Sequence, residues 1–156
     1  MPELVNAPSR VPVPGGKVIE EFAGRAASGD DAVSVAVMTA PPGWSEPAQA
    51  PDFDEVTVVL SGALIVEHEG GTLTVDAGQA VVTRAGERVR YSVGESGAHY
   101  VAVCVPAFAV ARAHRDSLGD SRIRHGHTLD RAKKLRRYPH RSILVAHAVG
   151  DVSVYG

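Results

Sequence analysis

GWSEPAQAPDFDEVTVVLSG, residues 43–62, and GQAVVTRAGERVRYSV, residues 78–93, are two glycine-anchored blocks rich in β-branched residues. Glu55–Leu60 and Leu64–His68 read as strands separated by a turn at Ser61-Gly62. Glu69-Gly70-Gly71 reads as a hairpin turn with Thr72–Val75 returning from it. Asp76-Ala77-Gly78 then turns into Ala80–Thr83, and Arg84-Ala85-Gly86-Glu87 into Arg88–Val93, where Val89, Tyr91 and Val93 alternate with polar residues.

The pattern extends outward on both sides. Residues 1–16 are rich in proline and end on Gly15-Gly16, which predicts an extended arm and a turn. Lys17–Phe22 alternates as a strand would. Asp31–Ala40 is a stronger one, with Val33, Val35 and Val37 on one face, and Pro41-Pro42-Gly43 ends it. On the far side, Gly94-Glu95-Ser96-Gly97 precedes a strand over Ala98–Val105. Many short strands with turn signals between them predict an all-β barrel or sandwich.

After Pro106 the character changes. A short helix is expected over Ala107–Leu118, a second over Thr128–Tyr138, and a final strand over Ser142–Val149. The expected organisation is an arm and first strand (1–30), a barrel (31–110) and a short helical, basic extension (111–156).

Composition agrees with one soluble domain: 156 residues, 44% hydrophobic and 22% charged. The net charge of −2 hides an asymmetry, because residues 1–111 sum to −8 and residues 112–141 to +7. The single cysteine, Cys104, excludes an intrachain disulfide and a cysteine zinc site, and reads as a buried thiol without a role. The first residues do not resemble a secretory leader, and no apolar run is long enough to span a bilayer. A cytoplasmic protein with no membrane partner is expected. The basic run Lys133-Lys134-x-Arg136-Arg137 reads as a solvated helix face rather than a nucleic-acid site, and His125-Gly126-His127 as incidental.

The two blocks carry a resemblance. Gly43, five residues, Gln49-Ala50-Pro51, three residues, Glu55, six residues and Gly62 reproduce the spacing of the first cupin motif. Gly78, five residues, Arg84-Ala85-Gly86, two residues, Val89, three residues and Val93 reproduce the second. The chain therefore resembles the cupin superfamily, which implies a double-stranded β-helix, or jelly-roll, barrel enclosing a small-molecule site. A cupin metal site uses three histidines and a glutamate; of those positions only Glu55 is kept, the others holding Gln49, Pro51 and Val89. No metal and no other cofactor is expected on that donor set. Phe53-Asp54-Glu55 and His68-Glu69-Gly70 further resemble the ethanolamine-utilisation Q-type cupins, which also lack the metal histidines. That family's association with acetate/ATP phosphoryl transfer finds no phosphate-binding glycine loop here.

Strand alternation then names a cavity. With Glu55 inward, Thr57 shares its face; with Val89 in a ligand's place, Tyr91 also faces the interior, and Trp44 and Gln49 lie on the segment entering it. On the last strand either His99 or Tyr100 joins them, not both. An inward glutamate is costly unless used or paired, so Glu55 is the candidate acid/base, with Tyr91 and His99 as catalytic partners. Trp44, Gln49, Thr57, Val89 and Tyr100 are the candidate substrate-binding residues. The expected function is metal-independent isomerisation, dehydration, epimerisation or cyclisation of a small carbonyl-containing metabolite by a homodimer. A non-catalytic ligand-binding cupin is the alternative, with an acetate kinase-like role third.

Overall fold

The structure is a computed structural model and describes residues 1–116. The helix expected over Thr128–Tyr138, the strand over Ser142–Val149, the His125/His127 pair and the basic run from Lys133 lie outside the described residues.

The fold is the all-β cupin barrel. Among the described residues seven strands form it: β1 (Ser9–Val11), β2 (Val18–Ala23), β3 (Ser34–Ala40), β4 (Asp54–His68), β5 (Gly71–Asp76), β6 (Ala80–Thr83) and β7 (Val89–Val105). All pair antiparallel, in the order β1-β2-β3-β7-β4-β5, with β6 on the first half of β4.

β4 and β7 are each one long strand where the sequence predicts two. The expected turn at Ser61-Gly62 and the break at 94–97 are instead bends, with register shifts between Val59 and Ser61 and between Gly62 and Leu64. Gly62 (φ +71) and Gly97 (φ +65) face each other there, so closely that a Cβ on Gly62 would collide with the Gly97 carbonyl. Glycine here permits a bulge and a close backbone approach without ending the strand.

The bend gives each long strand two sets of neighbours. Residues 55–58 of β4 pair with β6 and with the end of β7, whereas residues 63–68 pair with β5 and with the start of β7. Val59, Leu64, Val66, Val75, Val89, Val93 and Tyr100 meet in one buried cluster between these halves. A second, smaller cluster of Phe53, Cys104 and Ala113 closes one end, with the Phe53 and Phe108 rings edge to face at 5.8 Å.

The valines of β3 sit on its outer face; Ser34 and Ala36 are the buried, inward residues. Across the sheet Val35 pairs with Val103, Val103 with Val56, and Val56 with Val82. Val37, Val101 and Val58 form the next rung, so the outside of the barrel carries an apolar ladder. The helix expected over Ala107–Leu118 is a single turn, α1 (Val110–Ala113), stopped by His114 in a left-handed conformation (φ 45).

Candidate functional site

The segment between β3 and β4 is irregular yet firmly held. Trp44 O accepts from Val93 N, Glu46 N donates to Tyr91 O, and Gln49 and Val89 exchange both backbone bonds at 2.8 and 2.9 Å. Laced along the first half of β7 in this way, the segment places Glu46 and Gln49 against the barrel interior. The turn at Gly15-Gly16 (φ +81 and +75) then brings in Lys17, and two-residue steps put Ile19 and Glu21 on the same face. After α1 the chain folds back: Asp116 N donates to Ala48 O at 2.9 Å, and Arg115 bridges to Gln49.

These elements surround a cavity of about 100 Å³. Its polar groups include Lys17, Glu21, Glu46, Glu55, Tyr91 and Arg115, and Ile19, Ala36, Met38 and Phe108 supply apolar wall. That is room for one compact organic molecule beside polar groups that would fix its orientation.

Glu55 faces this space, as its position in the motif implies. Thr57 donates to Glu55 Oε1 at 2.8 Å, and the Cys104 thiol reaches Oε2 at 3.7 Å. Tyr91 shares a 3.3 Å hydrogen bond with Thr83, and both hydroxyls lie in the barrel. Burial, reinforced by the Glu55 charge, pushes the Tyr91 phenol well above its usual range. Burial followed by Glu46 and Glu55 does the same for Tyr100. Both phenols stay protonated and can donate. Cys104 is likewise held as the thiol by burial and then by Glu55.

Opposite them, Lys17 Nζ stands 4.0 Å from Glu46 Oε2, with side chains only 6% and 7% exposed. Arg115 Nη2 approaches the same oxygen at 3.5 Å, while its Nε donates to Gln49 Oε1 at 3.3 Å. Lys17 Nζ also lies 4.0 Å above the Trp44 ring and 5.4 Å from the Tyr100 ring. Desolvation by burial lowers Lys17 from its ordinary value, against the pull of Glu46 and Glu55. Burial raises Glu46, against Lys17 and Arg115.

Of the residues expected in the cavity, Glu55, Gln49, Tyr91 and Tyr100 are on its wall. Strand parity settles the choice between His99 and Tyr100: Tyr100 is buried and inward, while His99, half-buried, pairs with Thr39 and Ser61 and lies off the cavity lining. His99 is therefore not placed as a catalytic partner. Thr57 is fully buried and acts on Glu55 rather than on the open space. Trp44 and Val89 belong to the packed core, Trp44 touching the site through Lys17. Sequence reasoning missed Lys17, Glu46 and Arg115. The only signal was the alternation Lys17, Ile19, Glu21, which leaves open which face is inward.

The donor set does not fit a cupin metal. Pro51 and Val89 are buried without a lone pair to offer, and Gln49 is engaged by Arg115. Among the described residues no group of three or more His, Cys, Asp and Glu is placed to hold an ion.

Residues 20–152 match the model of the AraC-binding-like domain. The chain belongs to that family. Among curated proteins, the endoribonuclease YbeY of Myxococcus xanthus is 46% identical over 108 residues, which are 69% of this chain and 37% of that protein. The AraC-binding-like chain thus spans little more than a third of that relative's length. Among solved structures, a protein of unknown function from Rhizobium leguminosarum is 27% identical, covering 60% of this chain and 84% of that one at a TM-score of 0.50. A conserved protein with a double-stranded β-helix domain from Klebsiella pneumoniae is 20% identical, covering 64% of this chain and 80% of that one at 0.52. A putative ethanolamine utilisation protein Q from Salmonella typhimurium is 21% identical, covering 59% and 71% at 0.47. The family match and the fold together place the chain in the cupin superfamily. No helix among the described residues is long and apolar enough to cross a membrane.

Proposed function

We propose that the barrel binds one small carbonyl-containing metabolite and catalyses a proton transfer on it, with Glu55 as the acid/base. The observation that carries this reading is the placement of Glu55 on the wall of a small, largely apolar cavity, facing two phenols that stay protonated. Glu55 takes a proton from the carbon beside the carbonyl, and Tyr91 and Tyr100 hydrogen-bond the oxygen where negative charge develops. Thr57 fixes the carboxylate through Oε1. Returning the proton to another carbon gives isomerisation, returning it to the other face gives epimerisation, and loss of a leaving group gives dehydration.

The test is hydrogen–deuterium exchange beside the carbonyl of small aldehydes, ketones and keto acids in D₂O, followed by NMR. Wild-type protein accelerates exchange of at least one probe, and Glu55→Gln loses on the order of 100-fold of that rate, the usual worth of a positioned base. An exchange rate unchanged by Glu55→Gln removes the acid/base role.

A ligand-holding domain without catalysis is the second reading. It is favoured by the Myxococcus relative, in which a matching segment is one part of a protein named as an endoribonuclease. A barrel that binds a metabolite and answers to a larger protein needs the cavity but not Glu55 chemistry. A dimer is part of the proposal as well, supported by the apolar ladder on the outside of the barrel, where Val56, Val58 and Val82 are 37–47% exposed.

A further inference from the structure

Proton transfer by Glu55 leaves Lys17, on the cavity wall, without a task. Its ammonium is withdrawn from water, set between the Trp44 and Tyr100 rings, and faces a carboxylate that is equally withdrawn. As a plain ion pair this is a poor arrangement. The separation is 4.0 Å, Arg115 already holds Glu46 at 3.5 Å, and taking both charges out of water costs more than such a pair returns. A lysine next to a proton-accepting carboxylate in a small, largely apolar cavity is instead what amine nucleophiles are built from.

We propose that Lys17 is a catalytic nucleophile that forms an imine with an aldehyde or ketone of a few carbons held in the barrel, with Glu46 as its proton shuttle. The inference rests on the reading that the substrate carries a carbonyl group, and it adds a covalent step to it. Glu46 accepts a proton from the Lys17 ammonium, which frees the amine lone pair. The amine nitrogen bonds to the carbonyl carbon, the C=O π bond opens, and a proton moves from nitrogen to oxygen to give a neutral carbinolamine. The C–O bond then breaks, the oxygen leaving as water with the proton held by Glu46. What remains is an iminium cation beside the Glu46 carboxylate, so the ion pair present at the start is restored. Two protons of the ammonium have left in the water, and no oxidant or reductant enters. With the carbonyl now an iminium, removal of the neighbouring proton by Glu55 leaves a neutral enamine instead of an enolate.

The surroundings support each part. Burial lowers the Lys17 ammonium from its ordinary value and raises the Glu46 acid, and both shifts favour the neutral pair from which addition starts. Arg115 remains as the counter-charge of Glu46 while Lys17 is occupied. The Trp44 face at 4.0 Å receives the iminium as it does the ammonium.

The chain has three lysines, Lys17, Lys133 and Lys134, so two built-in controls accompany the test. Full-length protein is incubated near neutral pH with propanal or with pyruvate, reduced with borohydride, digested and mapped by mass spectrometry. The expected result is an adduct on Lys17 in excess of those on Lys133 and Lys134 by on the order of tenfold, because the cavity holds the carbonyl beside this amine. The excess disappears in urea, and Glu46→Gln slows its formation. Equal labelling of the three lysines, or an excess that survives unfolding, overturns the proposal. Lys17→Arg keeps the charge beside Glu46 but cannot form the imine, so it shows whether loss of exchange follows from chemistry or from lost folding. Its deuterium exchange falls with that of Glu55→Gln if the imine lies on the path; exchange unchanged in Lys17→Arg overturns it. The two readings part cleanly. No Lys17 adduct together with Glu55-dependent exchange defeats the imine and leaves proton transfer standing. A Lys17 adduct with exchange unaffected by Glu55→Gln does the reverse.

Discussion

Arg115 lies closer to Glu46 than Lys17 does, its Nη2 standing 3.5 Å from the Oε2 that Lys17 Nζ approaches at 4.0 Å. A residue beyond the last barrel strand thereby sets the charge inside the barrel. Glu46 is raised by burial from its ordinary 4.5, and Arg115 is one of two cations opposing that rise. A carboxyl raised on folding contributes stability that is present below its unfolded value and lost as pH climbs through the folded one. Arg115→Ala lifts Glu46 further, so the variant loses more stability at higher pH. Urea denaturation is expected to give nearly equal midpoints for the two proteins at about pH 4 and a deficit of roughly 1 kcal/mol in the variant at about pH 8. A deficit independent of pH would mean that Arg115 acts through packing and its bond to Gln49 alone.

That pair also marks where the sequence stops being informative. Glycine spacing and strand alternation are local properties, and they place Glu55, Gln49 and Tyr91 on one wall because each is tied to a motif position or to a strand of known parity. Lys17 and Glu46 come from a turn and an irregular loop, whose inward face is set only when residues 44–49 bond to β7. Arg115 depends on a chain reversal after His114 that no periodicity announces. The same limit explains the strands. Gly62 and Gly97 look like turn residues one at a time, and their meaning as a shared bend exists only once β4 and β7 are paired. Valines 33, 35 and 37 make a clear stripe, yet alternation alone does not say whether a stripe faces the cavity or the outside.

Gly62 is accordingly the most sensitive glycine of the frame. Both Gly62 and Gly78 have positive φ, +71 and +83, so alanine is strained at either position. Gly78 has no neighbour near the added Cβ, whereas Gly62 meets the Gly97 carbonyl and the Ala98 Cα. Gly78→Ala is expected to cost about 1 kcal/mol, the left-handed strain alone. Gly62→Ala adds a backbone collision and is expected to cost about 3 kcal/mol or to prevent folding. Thermal denaturation of the two variants side by side reads the difference. Equal losses would show that the long strands can part at the bend without penalty.

Asp54 at the start of β4 ties the barrel end to the turn after β6. Its Oδ1 accepts from Ala85 N at 2.9 Å and its Oδ2 from Arg84 Nη1 at 2.8 Å. The backbone bond first, and Arg84 second, hold the carboxyl below its ordinary 3.8. A carboxyl depressed on folding gives stability that is present above its unfolded value and lost as pH falls through the folded one. The side chain is 41% exposed, so solvent screening limits the effect of Asp54→Asn to no more than about 1 kcal/mol. The variant is expected to be less stable than wild type at neutral pH and to converge with it as pH falls below the folded value of Asp54. A gap that persists in acid would assign the loss to the altered shape of the turn.

Val58 tests the outer face. It pairs with Val101 on β7, Val101 pairs with Val37 on β3, and all three point away from the cavity, Val58 being 37% exposed. With the parallel rung of Val82, Val56, Val103 and Val35, the surface is an apolar ladder without a charge among its members. Leaving it in water forgoes roughly 25 cal/mol for each Å² that a second copy would cover. In the proposed dimer Val58→Glu brings two like charges into the shared face, while a monomer keeps the side chain in solvent. Val58→Glu is therefore expected to convert a dimer to a monomer by light scattering, with an unchanged circular dichroism spectrum. Because the ladder lies on the opposite face of the sheet from Glu55 and Lys17, deuterium exchange by the monomer should match wild type. A variant that remains dimeric would move the contact to another surface, and one that loses exchange on dissociating would mean that the second copy shapes the cavity.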